Sequence, residues 1–174
     1  FVPADHKGKT MIYLNPEGKS AEASAGGKIE KFVRKGIAVL APDLPGRGEM
    51  GPGTLRGDAY FKGVSHNLWY ASMIIGRSIT GILAGDLNRL AKIAREKDKT
   101  ALIIGYAEKE MASVLLHAAA FGSNFDRVVI PERYSSFMSI AVTRFYDPIL
   151  IMTSVPGALQ RYDLPDLENS LSEG

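Results

Sequence analysis

The chain has 174 residues, of which 45% are hydrophobic and 23% are charged, and its formal net charge is +2. This length and composition are those of one ordinary globular domain with a real core. The small net charge gives no reason to expect a nucleic-acid partner, no apolar run approaches the roughly 18 residues needed to span a membrane, and the lack of cysteine excludes disulfides and thiolate metal sites while leaving the compartment undecided.

The first half of the chain predicts a strand, a helix and a second strand joined by short links. Lys9–Leu14 is a short apolar run followed by a turn signal, which is typical of a β-strand. Helical spacing of apolar residues lies within Ala21–Arg34, and we expect the helix to begin near Gly26 and Gly27, which weaken its first half. Ile37–Ala41 is continuously apolar, as expected for a strand buried on both faces of a parallel sheet.

The stretch from Pro42 to Val64 is rich in Pro and Gly and predicts a long irregular loop, which in a compact domain is usually functional or mobile. In open α/β sheets the loops after the strands line the binding crevice. Four loop carboxylates are therefore candidates for metal binding or acid–base catalysis, although capping a helix or facing solvent is commoner: Glu17, Asp43, Glu49 and Asp58. Asp43 is expected to hold its own turn through side-chain bonds to the backbone.

The second half predicts one clear helix and further strands. Apolar residues recur at three and four positions through Gly76–Lys97, which is helical spacing. Ala101–Ile104 is a strand-sized run that Gly105 ends, and an apolar helical pattern follows it. Val128–Ile130 is another strand-sized run, and Ile149–Met152 fits either a short strand or a short helix.

Alternating strands and helices favour an α/β fold with a mainly parallel sheet and helices on both faces. The strands are fewer than in most sheets, so we expect the sheet to be truncated at its C-terminal end. We expect residues 1–174 to form a single domain cut from a longer chain, because the sequence begins with Phe1 rather than Met and carries no signal-peptide pattern.

The order of strand, sharp turn and helix around Gly105 resembles the nucleophile elbow of the α/β-hydrolase superfamily, whose motif is Gly-x-Ser-x-Gly. In this alignment Gly105 is the first glycine, Ala107 replaces the serine and Lys109 replaces the second glycine. Tyr106 and Glu108 lie between them. The resemblance implies a degenerate elbow in which Ala107 lies on a tight turn with unfavourable backbone angles.

Other segments resemble the acetyl xylan esterase-like and dienelactone hydrolase-like branches of that superfamily. Tyr13–Lys19 resembles a strand followed by His-Pro-x-Gly, where a backbone amide helps to form the oxyanion hole. The resemblance thus implies an oxyanion-side loop, with asparagine in place of the histidine, at Asn15, Pro16, Glu17 and Gly18. Gly36–Glu49 resembles a strand followed by Asp-x-x-Gly-x-Gly. Asn67–Asp86 resembles the lead-in to the elbow, and Val155–Leu167 resembles the stretch before the strand of the catalytic acid.

Several further residues are candidates for the site. The crevice candidates are Asp43, Arg47, Glu49 and Trp69. Trp69 with Tyr60 and Tyr70 would suit a sugar-stacking surface, although packing in the core or under a lid is the commoner role of such residues.

Two polar groups at the start of the next helix also have alternative interpretations. Ser113 and His117, at i and i+4, fit either a displaced Ser–His dyad or a packed helix surface. The segment Glu108–Glu110 is expected to be the solvated, acid-biased first turn of that helix. Three scattered histidines give no zinc motif.

In the resembled family the triad follows the order nucleophile, acid, histidine. The chain ends at Gly174, before the strands that would carry the acid and the histidine, and His117 lies too close to Ala107 to be that late histidine. The resemblance therefore implies a domain related to carbohydrate esterases that is degenerate and non-catalytic on its own. It would act as an accessory or binding module for a carbohydrate or ester ligand, in association with another domain of the same longer protein.

Two alternatives stay open. One is an active carboxylic-ester hydrolase whose catalytic residues lie elsewhere or beyond this chain, and the other is a non-hydrolytic enzyme that uses the strand-end carboxylates. No cofactor, nucleic-acid or membrane partner is implied. A bacterial, periplasmic or secreted location is expected if the carbohydrate-esterase resemblance holds.

Overall fold

The structure, a computed structural model, describes residues 1–51, 60–61, 64–133 and 136–172. The strands within these ranges are β1 (Lys9–Leu14), β2 (Ala38–Leu40), β3 (Tyr60–Phe61), β4 (Val64–Ser65), β5 (Leu102–Ala107) and β6 (Arg127–Val129). The α-helices are α1 (Lys28–Arg34), α2 (His66–Ile74), α3 (Ile79–Lys97), α4 (Met111–Phe121), α5 (Phe137–Val142) and α6 (Leu164–Ser172). Short 3-10 helices lie at Lys19–Glu22, Gly48–Met50, Pro148–Thr153 and Ala158–Gln160.

Four strands form one fully parallel sheet in the order β2, β1, β5, β6, and β3 and β4 form a separate antiparallel ribbon. β1 and β5 pair along six residues, from Lys9 opposite Leu102 to Leu14 opposite Ala107. Because parallel strands all end at the same edge, the loops that follow β1, β2 and β5 come together there. We call this the carboxyl edge of the sheet.

Helices cover both faces of this sheet. Alternate side chains of a strand point to opposite faces. In β1, Met11 and Tyr13 pack with α1, whereas Ile12 and Leu14 pack with α3 and α4. Every residue from Met111 to Ala119 is buried, so α4 is a core helix rather than an amphipathic surface helix. The predicted α/β class and parallel sheet are confirmed.

The long helix α3 agrees with its predicted spacing but begins three residues later than predicted. Gly76 has a φ of 73°, which a helix does not allow, and the helix begins at Ile79 instead. The Ser78 hydroxyl caps it by accepting the Gly81 N–H at 3.0 Å. Leu87, at the centre of the apolar stripe, is fully buried.

Strand β5 is longer than predicted. The prediction that Gly105 ends the strand is wrong, because pairing with β1 continues through it to Ala107. A Cβ at Gly105 would lie 2.4 Å from Leu115 Cδ1 and 3.1 Å from Phe125 Cδ1. This position is therefore glycine because α4 lies directly against the strand, and not because the chain turns there.

The C-terminal part contains two helices that the sequence patterns did not predict, α5 and α6. Leu164 and Leu167 of α6 pack with Leu116 of α4, which fastens the end of the chain to the core. The apolar run at 149–152 lies in a 3-10 helix, Pro148–Thr153, which is one of its two predicted alternatives.

A buried histidine joins α4 to the segment before α6. His117 Nδ1 lies 2.7 Å from the Ser113 carbonyl oxygen, and Nε2 lies 3.0 Å from the Tyr162 hydroxyl. Because a carbonyl only accepts, Nδ1 carries the proton and Nε2 accepts from Tyr162. The ring thus meets the Ser113 carbonyl and not its hydroxyl, and Ser113 itself is buried. The Ser113–His117 dyad is therefore wrong.

Replacing His117 by glutamine should make the free energy of unfolding less sensitive to acid. Burial lowers the pKa of His117, with the bond to Ser113 opposing this in part. The neutral ring is therefore favoured in the folded state. Its contribution is complete above the ordinary histidine pKa of about 6.5 and is lost as the pH falls below that value. Urea titrations at a series of pH values measure the slope, and His6→Gln, at an exposed position, should keep the slope of the unaltered protein.

The close contact at Gly105 predicts a second stability change. Gly105→Ala should lower the free energy of unfolding by about 1–3 kcal/mol, because the added methyl overlaps Leu115. Gly85→Ala is the matched control, since a Cβ at this exposed position of α3 meets nothing within 4 Å and alanine favours the helix. Thermal or urea unfolding of both variants tests this, and equal stability of the two would contradict the packing described.

Candidate functional site

A cavity of about 600 Å³ opens at the carboxyl edge of the sheet, where the loops after β1, β2 and β5 meet. We call it the edge cavity. The residues that line it include Pro16, Glu17, Arg47, Lys109, Glu110 and Asp147. The volume lies within the range of small-molecule sites, and its position is the one at which open α/β sheets bind ligands.

The Asp43 carboxylate connects the loops that follow β1 and β2. Asp43, whose side chain is 5% exposed, accepts the backbone N–H groups of Lys19 at 2.7 Å and Glu49 at 3.0 Å. The Lys19 ammonium lies 3.2 Å from the same carboxylate. Burial alone would raise the pKa of Asp43, but these bonds together hold it below its usual value. Asp43 thus holds its own turn, as predicted, and also the neighbouring loop.

Two glycines allow this close approach. Gly48 has a φ of 52°, and a Cβ there would lie 2.4 Å from the Asp43 carboxyl carbon. Gly18 has a φ of 91°, and a Cβ there would lie 2.7 Å from the Gly48 Cα and 2.9 Å from the Asp43 Oδ1. Both positions need a left-handed backbone and lack space for a side chain. This wall of the edge cavity is therefore built on backbone packed around Asp43.

The turn between β5 and α4 carries the strained residue of the site. Lys109 has a φ of 51°, the only left-handed value at a non-glycine position in the described parts of the chain. Its N–H donates to the Glu132 carbonyl at 2.8 Å, which anchors the turn, and its side chain is exposed. The expectation that Ala107 lies on this turn is wrong, because Ala107 is buried and pairs with Leu14 in the sheet. The strained position comes two residues later.

The two carboxylates beside Lys109 have opposite surroundings. Glu108 accepts the Lys28 ammonium at 2.5 Å and the Tyr106 hydroxyl at 2.6 Å. Burial would raise the pKa of Glu108, but Lys28 and Tyr106 lower it below its usual value. Burial, together with this hydrogen bond, raises the pKa of Tyr106 well above its usual value. Glu108 is therefore a charged structural group that accepts both bonds through its Oε1.

Glu110 is the carboxylate without partners. It is 7% exposed, lines the edge cavity at the start of α4, and makes no hydrogen bond or ion pair with any residue that the structure describes. The positive end of the α4 helix dipole stabilises a carboxylate at this position. The expectation that Glu108–Glu110 is a solvated turn is wrong for both glutamates, because the loops after β1 and β2 cover them.

Arg47 lies beside Glu110 and is half-buried. Its Nη1 donates to the Pro16 carbonyl at 3.0 Å, and within the described ranges no carboxylate lies within ion-pair distance of it. Burial lowers the pKa of Arg47, and the negative charge of Glu110 opposes this in part. The guanidinium stays charged at any accessible pH. The edge cavity therefore offers both a carboxylate and a guanidinium with unused hydrogen-bonding capacity.

A second cavity of about 320 Å³ lies on the α1 side and shares Pro16, Glu17 and Lys109 with the edge cavity. Its lining includes the carboxylate of Glu108, which already accepts bonds from Lys28 and Tyr106. The Tyr13 hydroxyl is buried without a hydrogen bond but is not among the residues that line this cavity. The edge cavity differs in being lined by Glu110, whose Oε2 is buried without a hydrogen-bond partner.

The structure brings only some of the predicted site residues together. Pro16, Glu17, Arg47 and Lys109 line the edge cavity, whereas Asn15 lines the second cavity and Gly18 supports the loop. Glu49 is 78% exposed and pairs with Lys19 at 2.6 Å.

Two of the aromatic candidates, Trp69 and Tyr70, contact each other beside the core. Trp69 is half-buried, packs in the core and meets the Tyr70 ring edge to face at 4.9 Å between centroids. Its indole N–H is buried without a partner. Asp58 and the side chain of Tyr60 lie outside the described residues. Sugar stacking on Trp69 stays a prediction.

Sequence reasoning missed Glu110 and Asp147 as cavity residues. The signal for Glu110 was a carboxylate directly before a helix that is apolar on all sides. Asp147 caps the 3-10 helix Pro148–Thr153 by accepting the Ile149 N–H at 3.2 Å. An aspartate before a proline is recognisable in the sequence as a helix cap. The sequence did not show that this cap would lie beside the edge cavity.

Comparisons with protein-family models, with curated proteins and with solved structures found no match to this chain. Over the described ranges, no group of three or more His, Asp or Glu side chains is placed to hold a metal ion. In the same ranges, no helix has the length and apolar character required to cross a bilayer. The chemistry of the site therefore rests on its own residues.

The role of Asp43 predicts an asymmetry between two neighbouring carboxylates. Asp43→Ala should lower the free energy of unfolding by about 2 kcal/mol, because two backbone N–H groups and an ammonium lose their acceptor. Glu49 is the other partner of Lys19, and its side chain is exposed. Glu49→Ala should therefore leave the free energy of unfolding close to that of the unaltered protein. Urea unfolding measures both, and similar losses would contradict the fastening role of Asp43.

Proposed function

We propose that this chain is an α/β-hydrolase-like domain, related to acetyl xylan esterases, that binds a carbohydrate or ester ligand in the edge cavity without hydrolysing it. The observation that carries the proposal is Lys109. A non-glycine residue with left-handed φ on a sharp strand-to-helix turn, beside a ligand-sized cavity, is the setting of a nucleophile elbow. In this chain that position holds lysine instead of a nucleophilic hydroxyl.

The lack of catalysis follows from the neighbours of Lys109. Acyl transfer at such an elbow needs a hydroxyl or thiol nucleophile in contact with a base. The described lining of the edge cavity contains no histidine, and His117 is buried and bonded to Ser113 and Tyr162. These neighbours support a degenerate elbow, with the register shifted by two residues from the Ala107 alignment.

The binding role is supported by the unused groups of the cavity. Arg47 and Glu110 are largely removed from water, and neither has its hydrogen bonds completed by the described chain. Buried polar groups without partners are rare in folded proteins, and a bound ligand explains them economically. The domain would then serve as an accessory module in a longer protein, beside a domain that carries out the chemistry.

An activated acetate ester, assayed with this chain, tests the absence of catalysis. We expect no hydrolysis above the buffer rate, and Lys109→Met and the control Lys99→Met, at the opposite edge of the sheet, should behave alike. Hydrolysis that Lys109→Met abolishes and Lys99→Met preserves would contradict the proposal and favour an active hydrolase. In both cases circular dichroism should confirm that the variants are folded.

Binding is measured separately, by calorimetry with oligosaccharides and with simple esters. The single tryptophan, Trp69, packs in one cluster with Ile149, which lines the edge cavity, so its fluorescence gives a second readout. We expect saturable binding that Arg47→Gln weakens by about tenfold, because a charged hydrogen-bond donor is lost. Binding that is unchanged in Arg47→Gln would place the ligand elsewhere.

A further inference from the structure

The proposed function leaves two ligand classes open, carbohydrates and esters. They differ in whether they can donate hydrogen bonds as well as accept them, and the polar groups of the cavity respond to that difference. A carboxylate such as that of Glu110 carries no N–H and accepts hydrogen bonds through its two oxygens. The Glu110 side chain makes no hydrogen bond with the described chain, the residue is 7% exposed, and its Oε2 is buried without a partner. A ligand that satisfies Glu110 must therefore donate a proton to it.

Arg47 supplies the complementary requirement. A guanidinium carries five N–H donors and no acceptor, and the Arg47 side chain makes one hydrogen bond with the described chain, to the Pro16 carbonyl. A ligand atom near Arg47 must therefore accept. Glu110 and Arg47 line the edge cavity together, and they also share the small cavity of about 20 Å³ beneath it. They are thus close enough to act on the same part of a ligand.

A hydroxyl group meets both requirements, because it donates one proton and accepts with its lone pairs. An acylated hydroxyl offers only acceptors and would leave Glu110 buried without a partner. An ammonium could donate to Glu110, but it has no lone pair with which to accept a hydrogen bond from Arg47. Glu110 and Arg47 together therefore favour a neutral polyol over an ester and over an amine.

We infer that the edge cavity selects the free-hydroxyl form of its ligand, with one hydroxyl donating to Glu110 and accepting from Arg47. This inference rests on the proposed binding function. It makes the ligand the deacylated sugar, which is the product of ester hydrolysis, rather than the acylated substrate. Glu110 and Arg47 are then the residues that determine specificity.

Calorimetry with xylotriose, cellotriose and mannotriose, each compared with its O-acetylated form, tests the inference. We expect the free form of the bound sugar to bind at least tenfold more tightly than the acetylated form, because the ester cannot bond the buried carboxylate. Equal affinities, or tighter binding of the acetylated form, would overturn the inference while leaving the proposed function intact. Absence of binding by every form would overturn the proposed function and the inference with it.

Two variants connect this selectivity to Glu110. Glu110→Gln keeps the shape of the side chain but replaces one acceptor by an N–H₂ donor, which can bond an acetyl carbonyl. It should reduce the preference for the free form by at least fivefold. Glu17→Gln is the matched control, because Glu17 lines the same cavity but is exposed, and it should keep the preference. A preference that survives in Glu110→Gln would overturn the inference.

Discussion

Strands β1 and β5 pair along six consecutive residues, and the end of that pairing positions two of the loops that line the edge cavity. Leu14 and Ala107 are the last partners, so the chain leaves both strands side by side. One exit leads into the loop held by Asp43, and the other leads into the turn at Lys109.

The segment Glu108–Glu110 divides the carboxyl edge into two chemically different halves. Its first carboxylate is bonded to Lys28 and Tyr106 and stabilises the structure. Its second is buried with no partner from the described chain. Because an unpaired buried charge is costly, a folded protein keeps one where binding compensates for it. The same short turn therefore contributes to stability and, under the proposed function, would also contribute to ligand recognition.

Much of the fold could be predicted from the sequence. Apolar runs located β1, β2, β5 and β6 to within three residues, and helical spacing located α3. The helix α6 was missed because Pro165 and its aspartates resemble a loop, although proline is compatible with the first turn of a helix and Leu164, Leu167 and Leu171 recur at helical spacing.

Less of the site could be predicted from the sequence, for two physical reasons. Gly105 was interpreted as a turn glycine, and only the contact with Leu115 shows that it is required by packing. Acidic residues at a helix start are usually solvated, and the burial of Glu110 depends on loops that are distant in sequence. Local patterns contain neither fact, whereas Asp43 could be interpreted correctly because its bond to Glu49 is local.

The close contact of Gly18 and Gly48 around Asp43 also determines what ligand binding costs in entropy. Two loops that leave no room for a Cβ at their contact, and that share a buried carboxylate, have few alternative conformations. This part of the cavity wall loses its conformational freedom when the protein folds, so little further ordering remains for a ligand to impose there. Under the proposed function, a ligand that contacts Arg47 would meet a loop already held in place on one side, which would favour rapid association without rearrangement of that loop.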